Sequence, residues 1–271
     1  MTGPRRPPPA FTPSVQFLGA AGTVTGSMHF LRTGKHGILL DCGLFQGEKA
    51  LRERNWQQRV DPKEVDAVVL SHAHIDHTGY LPVLVRRGFR GPVYCTSGTA
   101  DLTRVLLADS ARLMEEEAER ANHFGYSKHK PALPLCTSED AERTFDLIEP
   151  QRYGRPFAPV KGVEVVYRPA GHILGAASID IRLDGGGQQP YRVAFSGDLG
   201  RWDRPIIHDP EPIPEADVLL LESTYGDRVH AEGAEEELAR IVNTAARRGG
   251  ALLVPAFAVG RTQELIWMLR Q

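Results

Sequence analysis

The feature that most constrains the fold is a β-branched apolar run leading into a dense set of metal-type side chains: Val65-Asp-Ala-Val-Val-Leu70, Ser71, then His72-Ala-His74-Ile-Asp76-His77. A run of that kind is predicted to be a short buried strand, so three imidazoles and a carboxylate sit together at a strand end. Thr78-Gly-Tyr-Leu-Pro-Val-Leu-Val-Arg-Arg87 is predicted to follow as a helix, with Thr78 as N-cap and Leu81, Leu84 and Val85 on one face. Strand, ligand loop and helix make a rigid mount. Imidazole nitrogen and carboxylate oxygen suit zinc and neighbouring divalent ions. A polar surface turn would not need three histidines in six residues. Cys42, Cys95 and Cys136 are too widely spaced for a thiolate pair of the CxxC kind.

One loop cannot fill two coordination spheres, so further ligands are expected at other strand ends. Gly162-Val-Glu-Val-Val-Tyr-Arg168 alternates like a strand and runs into Pro169-Ala-Gly-His172-Ile-Leu-Gly175, with glycine on both sides of one histidine. Tyr191-Arg-Val-Ala-Phe-Ser196 is a further strand ending at Gly197-Asp198. Ile38-Leu-Leu ends at Asp41, which is either a turn residue or a carboxylate that receives the free N–H of a metal-bound imidazole.

In this order, HxHxDH, a glycine-flanked histidine and a strand-end Gly-Asp resemble the metallo-β-lactamase-fold hydrolases. Leu221-Glu222-Ser-Thr-Tyr-Gly-Asp-Arg228 and Pro255-Ala-Phe-Ala-Val-Gly260-Arg261-Thr-Gln-Glu264-Leu265 narrow the resemblance to the β-CASP nucleases. That branch contains the pre-mRNA 3′-end endonuclease and its bacterial and archaeal relatives. Asp109-Ser-Ala-Arg-Leu-Met-Glu-Glu-Glu-Ala-Glu119 and Thr137-Ser-Glu-Asp-Ala-Glu142 also resemble it, so the likeness covers residues 15–271. It implies an α/β fold, an αββα sandwich whose strand ends share one cleft, with the start of an inserted β-CASP α/β domain. It further implies two zinc ions: one on His72, His74 and His172, the second on Asp76 and His77, with Asp198 bridging them. Such a pair generates a hydroxide that attacks phosphorus, and the resemblance makes Asp76 its orienting group. Glu222 matches the acidic motif that supports the active site; RNA-acting members resemble this chain in having Glu there. The implied substrate is RNA, and Arg261, at a helix start, is the candidate for holding its phosphate.

The departure from the family is two further histidines, expected beyond residue 271. His29, His36, His123, His129, His208 and His230 are read as satisfied or solvated side chains. The chain is accordingly expected to be a fragment: a loose arm over 1–13, a metallo-β-lactamase domain over 14–226, and an incomplete β-CASP domain over 227–271. The helix from Arg261 would carry an apolar face at Leu265, Ile266 and Leu269 that needs a partner, for which a homodimer is one candidate.

Strands are expected at 15–18, 28–32, 38–40 and 251–254, helices at 99–122 and 234–248, and a hairpin turn at Asp184-Gly-Gly-Gly187. In the first of those helices Leu102, Val105, Leu106 and Leu113 are expected to be buried, with Glu115 to Glu117 solvated. Gly19-Ala-Ala-Gly-Thr-Val-Thr-Gly-Ser27 lacks the lysine of a phosphate loop and leads into a strand, so it is read as a mobile rim of the metal cleft. A net charge of −2 gives no global nucleic-acid footprint, though a groove can be basic locally, as at Arg86, Arg87 and Arg90. Three scattered cysteines point to a reducing compartment, the cytoplasm by default, and no run is long and apolar enough for a membrane helix. Two other functions share the same ligands: a small-molecule hydrolase acting on an ester, thioester or lactam, and an inactive binding platform.

Overall fold

The computed structural model describes residues 13–184, 190–229 and 233–270. Their strands are β1 (Ser14–Phe17), β2 (His29–Thr33), β3 (His36–Leu40), β4 (Ala67–Val69), β5 (Val93–Thr96), β6 (Ile148–Gln151), β7 (Phe157–Val160), β8 (Val163–Pro169), β9 (Ala177–Leu183), β10 (Tyr191–Phe195) and β11 (Val218–Leu220). Their α-helices are α1 (Lys49–Glu53), α2 (Ile75–Thr78), α3 (Leu81–Arg86), α4 (Ser97–Phe124), α5 (Ser138–Phe145), α6 (Ala234–Arg247) and α7 (Arg261–Arg270).

The strands form two sheets, in the orders β1-β2-β3-β4-β5-β6 and β11-β10-β9-β8-β7. In the first, β1 to β3 pair antiparallel and β3 to β6 parallel. The period of two along each strand divides its side chains between two cores. Leu39 and Val68 join the core under the helices with Leu81, Leu84 and Leu107. Ile38, Leu40 and Val69 face the other way, onto Val165, Ile179 and Ile181 of the second sheet. Burial on both faces is why β4 is apolar throughout. Truncating a leucine such as Leu39 to alanine would cost ~2–5 kcal/mol.

The direction of the strands gathers the functional loops. Strands β3 and β4 are parallel, so Asp41 and Ser71 emerge at the same sheet end. Strands β8 and β10 both run antiparallel to β9, and β11 runs parallel to β10, so the loops carrying His172, Asp198 and Glu222 also leave from one end. Two close approaches seat these loops against each other. A Cβ on Gly43 would lie 1.6 Å from the Asp76 carbonyl oxygen, and one on Gly200 would lie 1.5 Å from that of Gly171. Only glycine fits either place.

Four expectations need correction. The segment 78–87 is not one helix capped by Thr78: α2 begins at Ile75, and α3 restarts at Leu81 with proline in its first turn. His74 O accepts from the His77 and Thr78 N–H groups, so Asp76 and His77 lie on the helical turn itself. In α4, Val105 and Leu113 are 65% and 50% exposed, and the buried positions are small: Thr99, Ala100, Thr103, Ala111, Ala118 and Ala121, with Leu107. Small side chains let this helix lie close to its neighbours, which an apolar pattern alone misses. Residues 251–254 form no strand, since they pair with no described strand and lie exposed. Arg86, Arg87 and Arg90 are not a free basic cluster: Arg86 reaches Asp140, and the other two donate to main-chain carbonyls. The arm over 1–12 and the glycine turn at 185–187 lie outside the described residues. Among the described residues no helix is long and apolar enough to cross a membrane.

Candidate metal centre

Asp41 organises the centre. Its backbone adopts φ 59°, a left-handed conformation that is uncommon for a side chain other than glycine, and it is fully buried. Four hydrogen bonds hold its carboxylate: from the Ser71 N–H (2.7 Å), the Ser71 hydroxyl (2.9 Å), the Ser27 hydroxyl (3.1 Å) and His77 Nδ1 (2.7 Å). A carboxylate only accepts, so the His77 Nδ1 carries the proton and its Nε2 is aimed away from Asp41. The Ser71 hydroxyl gives its one proton to Asp41 and accepts from His72 Nδ1 at 3.0 Å. Asp41 therefore orients two imidazoles, one directly and one through Ser71.

The ring nitrogens so freed converge. His72 Nε2 lies 3.1 Å from His74 Nδ1, and His172 Nε2 lies 3.2 Å from the same atom. These three and Asp198 each offer a ligand atom within 4.8 Å of all the others. Asp198 then divides its oxygens: Oδ2 is 3.7 Å from His72 Nε2 and 3.6 Å from His172 Nε2, whereas Oδ1 is 3.3 Å from His77 Nε2. Asp76 Oδ2 stands 3.8 Å from that same His77 nitrogen. The structure thus brings together all six residues that the sequence placed in the centre.

Electrostatics differ across it. Burial, then the neighbouring imidazoles His77, His172 and His74, hold His72 well below the usual histidine range. Burial and His74 and His77 push His172 down to about 3. Burial also lowers His74, against the pull of Asp76 and Asp198. For His77 burial works the same way but is outweighed by Asp41, Asp198 and Asp76, and it is pushed up to about 10. The Asp198 carboxyl is raised by burial and by Asp76 and Asp41, with His77 opposing. His72 Nδ1 donates to Ser71, so its Nε2 brings a lone pair to 3.1 Å from His74 Nδ1, and a cation held among the three rings would draw on one nitrogen of each. The donor set fits a divalent metal. The thiols are no part of it: all three cysteines are free and buried, with Cys42 pushed up to about 12 by burial.

Surrounding elements fix the loops. The Thr96 and Thr99 hydroxyls both donate to the Gly175 carbonyl (2.6 and 2.8 Å), and Tyr153 OH donates to that of Ala176 (2.9 Å), bracing the His172 turn against the start of α4. Glu222 accepts from the Leu199 N–H at 2.5 Å, while its own N–H donates to the Ser196 hydroxyl at 3.0 Å. It holds the turn that presents Asp198 and lines the same cleft as His77. Its carboxyl is raised by burial, against the Leu199 hydrogen bond. Val259 packs with Ala73, Ala170, Ile173 and Ala176, and the Phe257 ring lies 6.2 Å from that of His74. Arg261 is the exposed first residue of α7, and its charge, after burial and that of Arg204, lowers the pKa of Arg201. Arg204 in turn makes a paired contact with Glu264 (3.1 and 2.5 Å).

Two participants escaped the sequence reading. Ser71 stands directly before the first histidine, and a hydroxyl in that place is the signal that finds it. His29 is neither satisfied nor solvated: it is 6% exposed, its Nδ1 is buried without a partner, and it lines the cleft beside His77. The rim expected at 19–27 does border this cleft, through residues 20, 22–24 and 27.

Comparison with known proteins agrees with this geometry. The sequence profile described as "Metallo-beta-lactamase superfamily" matches residues 21–228. The chain is 38% identical to Ribonuclease TTHA0252 of Thermus thermophilus, over 93% of this chain and 53% of that protein. It is 32% identical to Transcription termination factor FttA of Methanocaldococcus jannaschii, over 95% and 39%. It is 31% identical to Endoribonuclease YSH1 of Eremothecium gossypii, over 95% and 33%. The chain spans about half the length of the first of these relatives and less of the other two.

Proposed function

The chain belongs to the metallo-beta-lactamase superfamily, and from that premise we propose that it is a metal-dependent phosphodiesterase of the β-CASP branch that hydrolyses RNA. The observation that carries this reading is the divided carboxylate of Asp198, one oxygen toward His72 and His172 and the other toward His77. That arrangement suits two ions sharing one ligand. We assign His72, His74 and His172 to the first and Asp76 and His77 to the second, zinc being the metal that best suits the nitrogen-rich donor set. Bound there, a pair of divalent ions would lower the pKa of water toward neutrality and offset the charge that develops on a phosphoryl group.

The chain's own residues do the rest. Asp41 and Ser71 fix the tautomers of His77 and His72, so that both present Nε2. Asp76, on the helical turn beside His77, is placed to accept a proton from the attacking water and orient it. Glu222 acts through Leu199 as a positioning residue for Asp198. Arg261, with Arg201 and Arg204 as neighbours, supplies positive charge for a flanking phosphate.

RNA is favoured over a small ester because relatives matched over nearly all of this chain carry the names ribonuclease and endoribonuclease. Glu222 and the Gly260-Arg261 turn support the same reading, since they resemble motifs of that branch. Residues 14–226 are assigned to the metal-binding domain and 227–271 to the beginning of the inserted one. In support, the family match stops at residue 228, and no described residue from 233 onward is buried. Three free, buried cysteines fit a reducing compartment such as the cytoplasm.

The test is metal content and cleavage of RNA and of a thioester panel, for the wild type and Asp198→Ala. RNA cleavage that requires metal and disappears with Asp198 is expected. Thioester turnover without RNA cleavage would overturn the substrate assignment, and metal-independent RNA cleavage the mechanism.

A further inference from the structure

Asp76 and His77 sit on α2, a single helical turn of four residues, and so short a helix cannot hold its own place. Its carbonyls are caught from outside. That of Ile75 accepts from the Leu44 N–H (3.1 Å), that of Asp76 from the Ser27 N–H (2.8 Å) and that of His77 from the Cys42 N–H (2.7 Å). The Gly43 N–H donates in turn to the Ser27 carbonyl (2.8 Å). Residues 27 and 42–44 therefore form a backbone cradle under the turn that carries both ligands. Neither strip of the cradle belongs to a strand, since β2 begins at His29 and β3 ends at Leu40.

Arg59 ties the two strips together from the connection between α1 and β4, which supplies no metal ligand. Its Nη1 donates to the Gly26 carbonyl at 3.2 Å and its Nη2 to the Gly43 carbonyl at 2.5 Å. The guanidinium lies 4.3 Å from the centre of the Tyr80 ring and 4.9 Å from that of Phe45. The side chain is half-buried, its Nε is sealed from solvent without a partner, and among the described residues no carboxylate pairs with it. Methionine or leucine would cover the same rings without the cost of desolvating a cation. What only arginine offers is a planar fork that reaches two carbonyls at once while it stacks on aromatic faces. Asn55, from the same connection, holds the next residue of the second strip: it accepts from the Phe45 N–H and donates to the Phe45 carbonyl, both at 2.8 Å.

We propose that Arg59 is a positioning residue for the second metal position. By holding Gly26 and Gly43 it fixes the cradle, and through the Ser27 and Cys42 N–H groups it sets where Asp76 and His77 stand. It contacts neither side chain. The proposal rests on the two-ion reading above and adds a determinant outside the ligand set. Its effect is confined largely to one half of the centre, because the His172 turn is braced separately by Thr96, Thr99 and Tyr153, and Asp41, which orients His72 through Ser71, has the Ser71 N–H as a further anchor.

The experiment compares wild type with Arg59→Met, which keeps an apolar stem against the rings but removes the charge and both donors, and with the milder Arg59→Lys. A third variant, Ile148→Ala, opens the helix-side core in β6, two strands away from β4. Amide hydrogen exchange is measured in the metal-free chain, and zinc affinity at each position by calorimetric titration. In Arg59→Met the Ser27 and Cys42 amides should exchange about tenfold faster, while that of Ala170, which donates to Ala176 across the His172 turn (3.0 Å), keeps its wild-type rate. The second position should weaken about tenfold, the lower end for groups that orient metal ligands, and the first by no more than about twofold. Arg59→Lys should show the same pattern at smaller size. Ile148→Ala should lower the denaturant midpoint yet leave the ratio of the two affinities unchanged, which separates a local role from a general loss of stability. Arg59 variants that alter neither the exchange rates nor that ratio, or that weaken both positions equally, would overturn the proposal. Wild type that takes up a single zinc equivalent would instead defeat the two-ion reading, and the exchange rates would still decide whether Arg59 holds the turn.

Discussion

The two halves of the metal centre are built on opposite electrostatic plans. On one side His72, His74 and His172 are neutral imidazoles crowded together, each with a pKa lowered by burial. On the other, His77 is surrounded by Asp41, Asp76 and Asp198, which keep it charged in the metal-free chain despite burial. The first half is ready for a cation without losing a proton. The second must give up the proton on His77 before its Nε2 can bind. The contrast teaches that the halves should differ in pH dependence and in sensitivity to the carboxylates, although they share Asp198.

The largest effect is expected from Asp198→Ala, which removes the carboxylate whose two oxygens face the two halves. Activity should fall by more than the ~100-fold upper end for partners of metal ligands, with loss of bound metal from both positions by elemental analysis. Retention of a full complement would break the account of Asp198 as the shared ligand. Asp41→Asn should weaken the second position by ~10–100-fold and leave the first much less affected, seen in calorimetric titration as two equivalents becoming one. Equal loss from both would mean that the path through Ser71 to His72 matters as much as the direct contact to His77.

The pH dependence sharpens the same contrast. His77 titrates at about 10 in the folded metal-free chain, so metal affinity of the second position should rise about tenfold per unit from neutral pH toward that value. The first position should be nearly flat, since His172 is neutral down to about 3. For stability the signs are opposite too. The raised pKa of His77 gives the metal-free fold a contribution that is complete below the ordinary histidine value of about 6.5 and lost as pH rises toward 10. The lowered pKa of His172 gives one that is complete above about 6.5 and lost as pH falls toward 3. Denaturant midpoints measured with chelator at pH 4, 7 and 10 should be highest at the middle value. The smallest effect is expected from Thr96→Val, which deletes both a hydrogen bond bracing the His172 turn and the N-cap acceptor of α4: ~1–2 kcal/mol of stability and a slight weakening of the first position only.

Much of this was legible in the sequence, for a physical reason. His72, His74, Asp76 and His77 are contiguous, so a short window shows the chemistry. His172 and Asp198 sit beside glycine at strand ends, where a sharp turn is needed to aim a side chain into a shared cleft. Asp41 was readable as a carboxylate ending a strand, but its bond to His77 depends on the parallel pairing of β3 with β4. The remainder was set by tertiary contacts. The face of α4 is decided by what its alanines pack against, not by Val105 and Leu113. An apolar run at 251–254 becomes a strand only beside another strand, because isolated strand backbone lacks hydrogen-bond partners. His29 looks like any strand histidine until the second sheet brings Phe195 against it.

The central claim is that Asp198 joins two unlike halves into one two-ion centre, and a crystal structure of the zinc-loaded chain using anomalous scattering tests it most directly. The account predicts two metal peaks ~3.5–4 Å apart, one against His72, His74 and His172 and the other against Asp76 and His77, with Asp198 between them. A single peak in the imidazole group at saturating zinc, with Asp198 bound to it by both oxygens and His77 still paired with carboxylates alone, would contradict it.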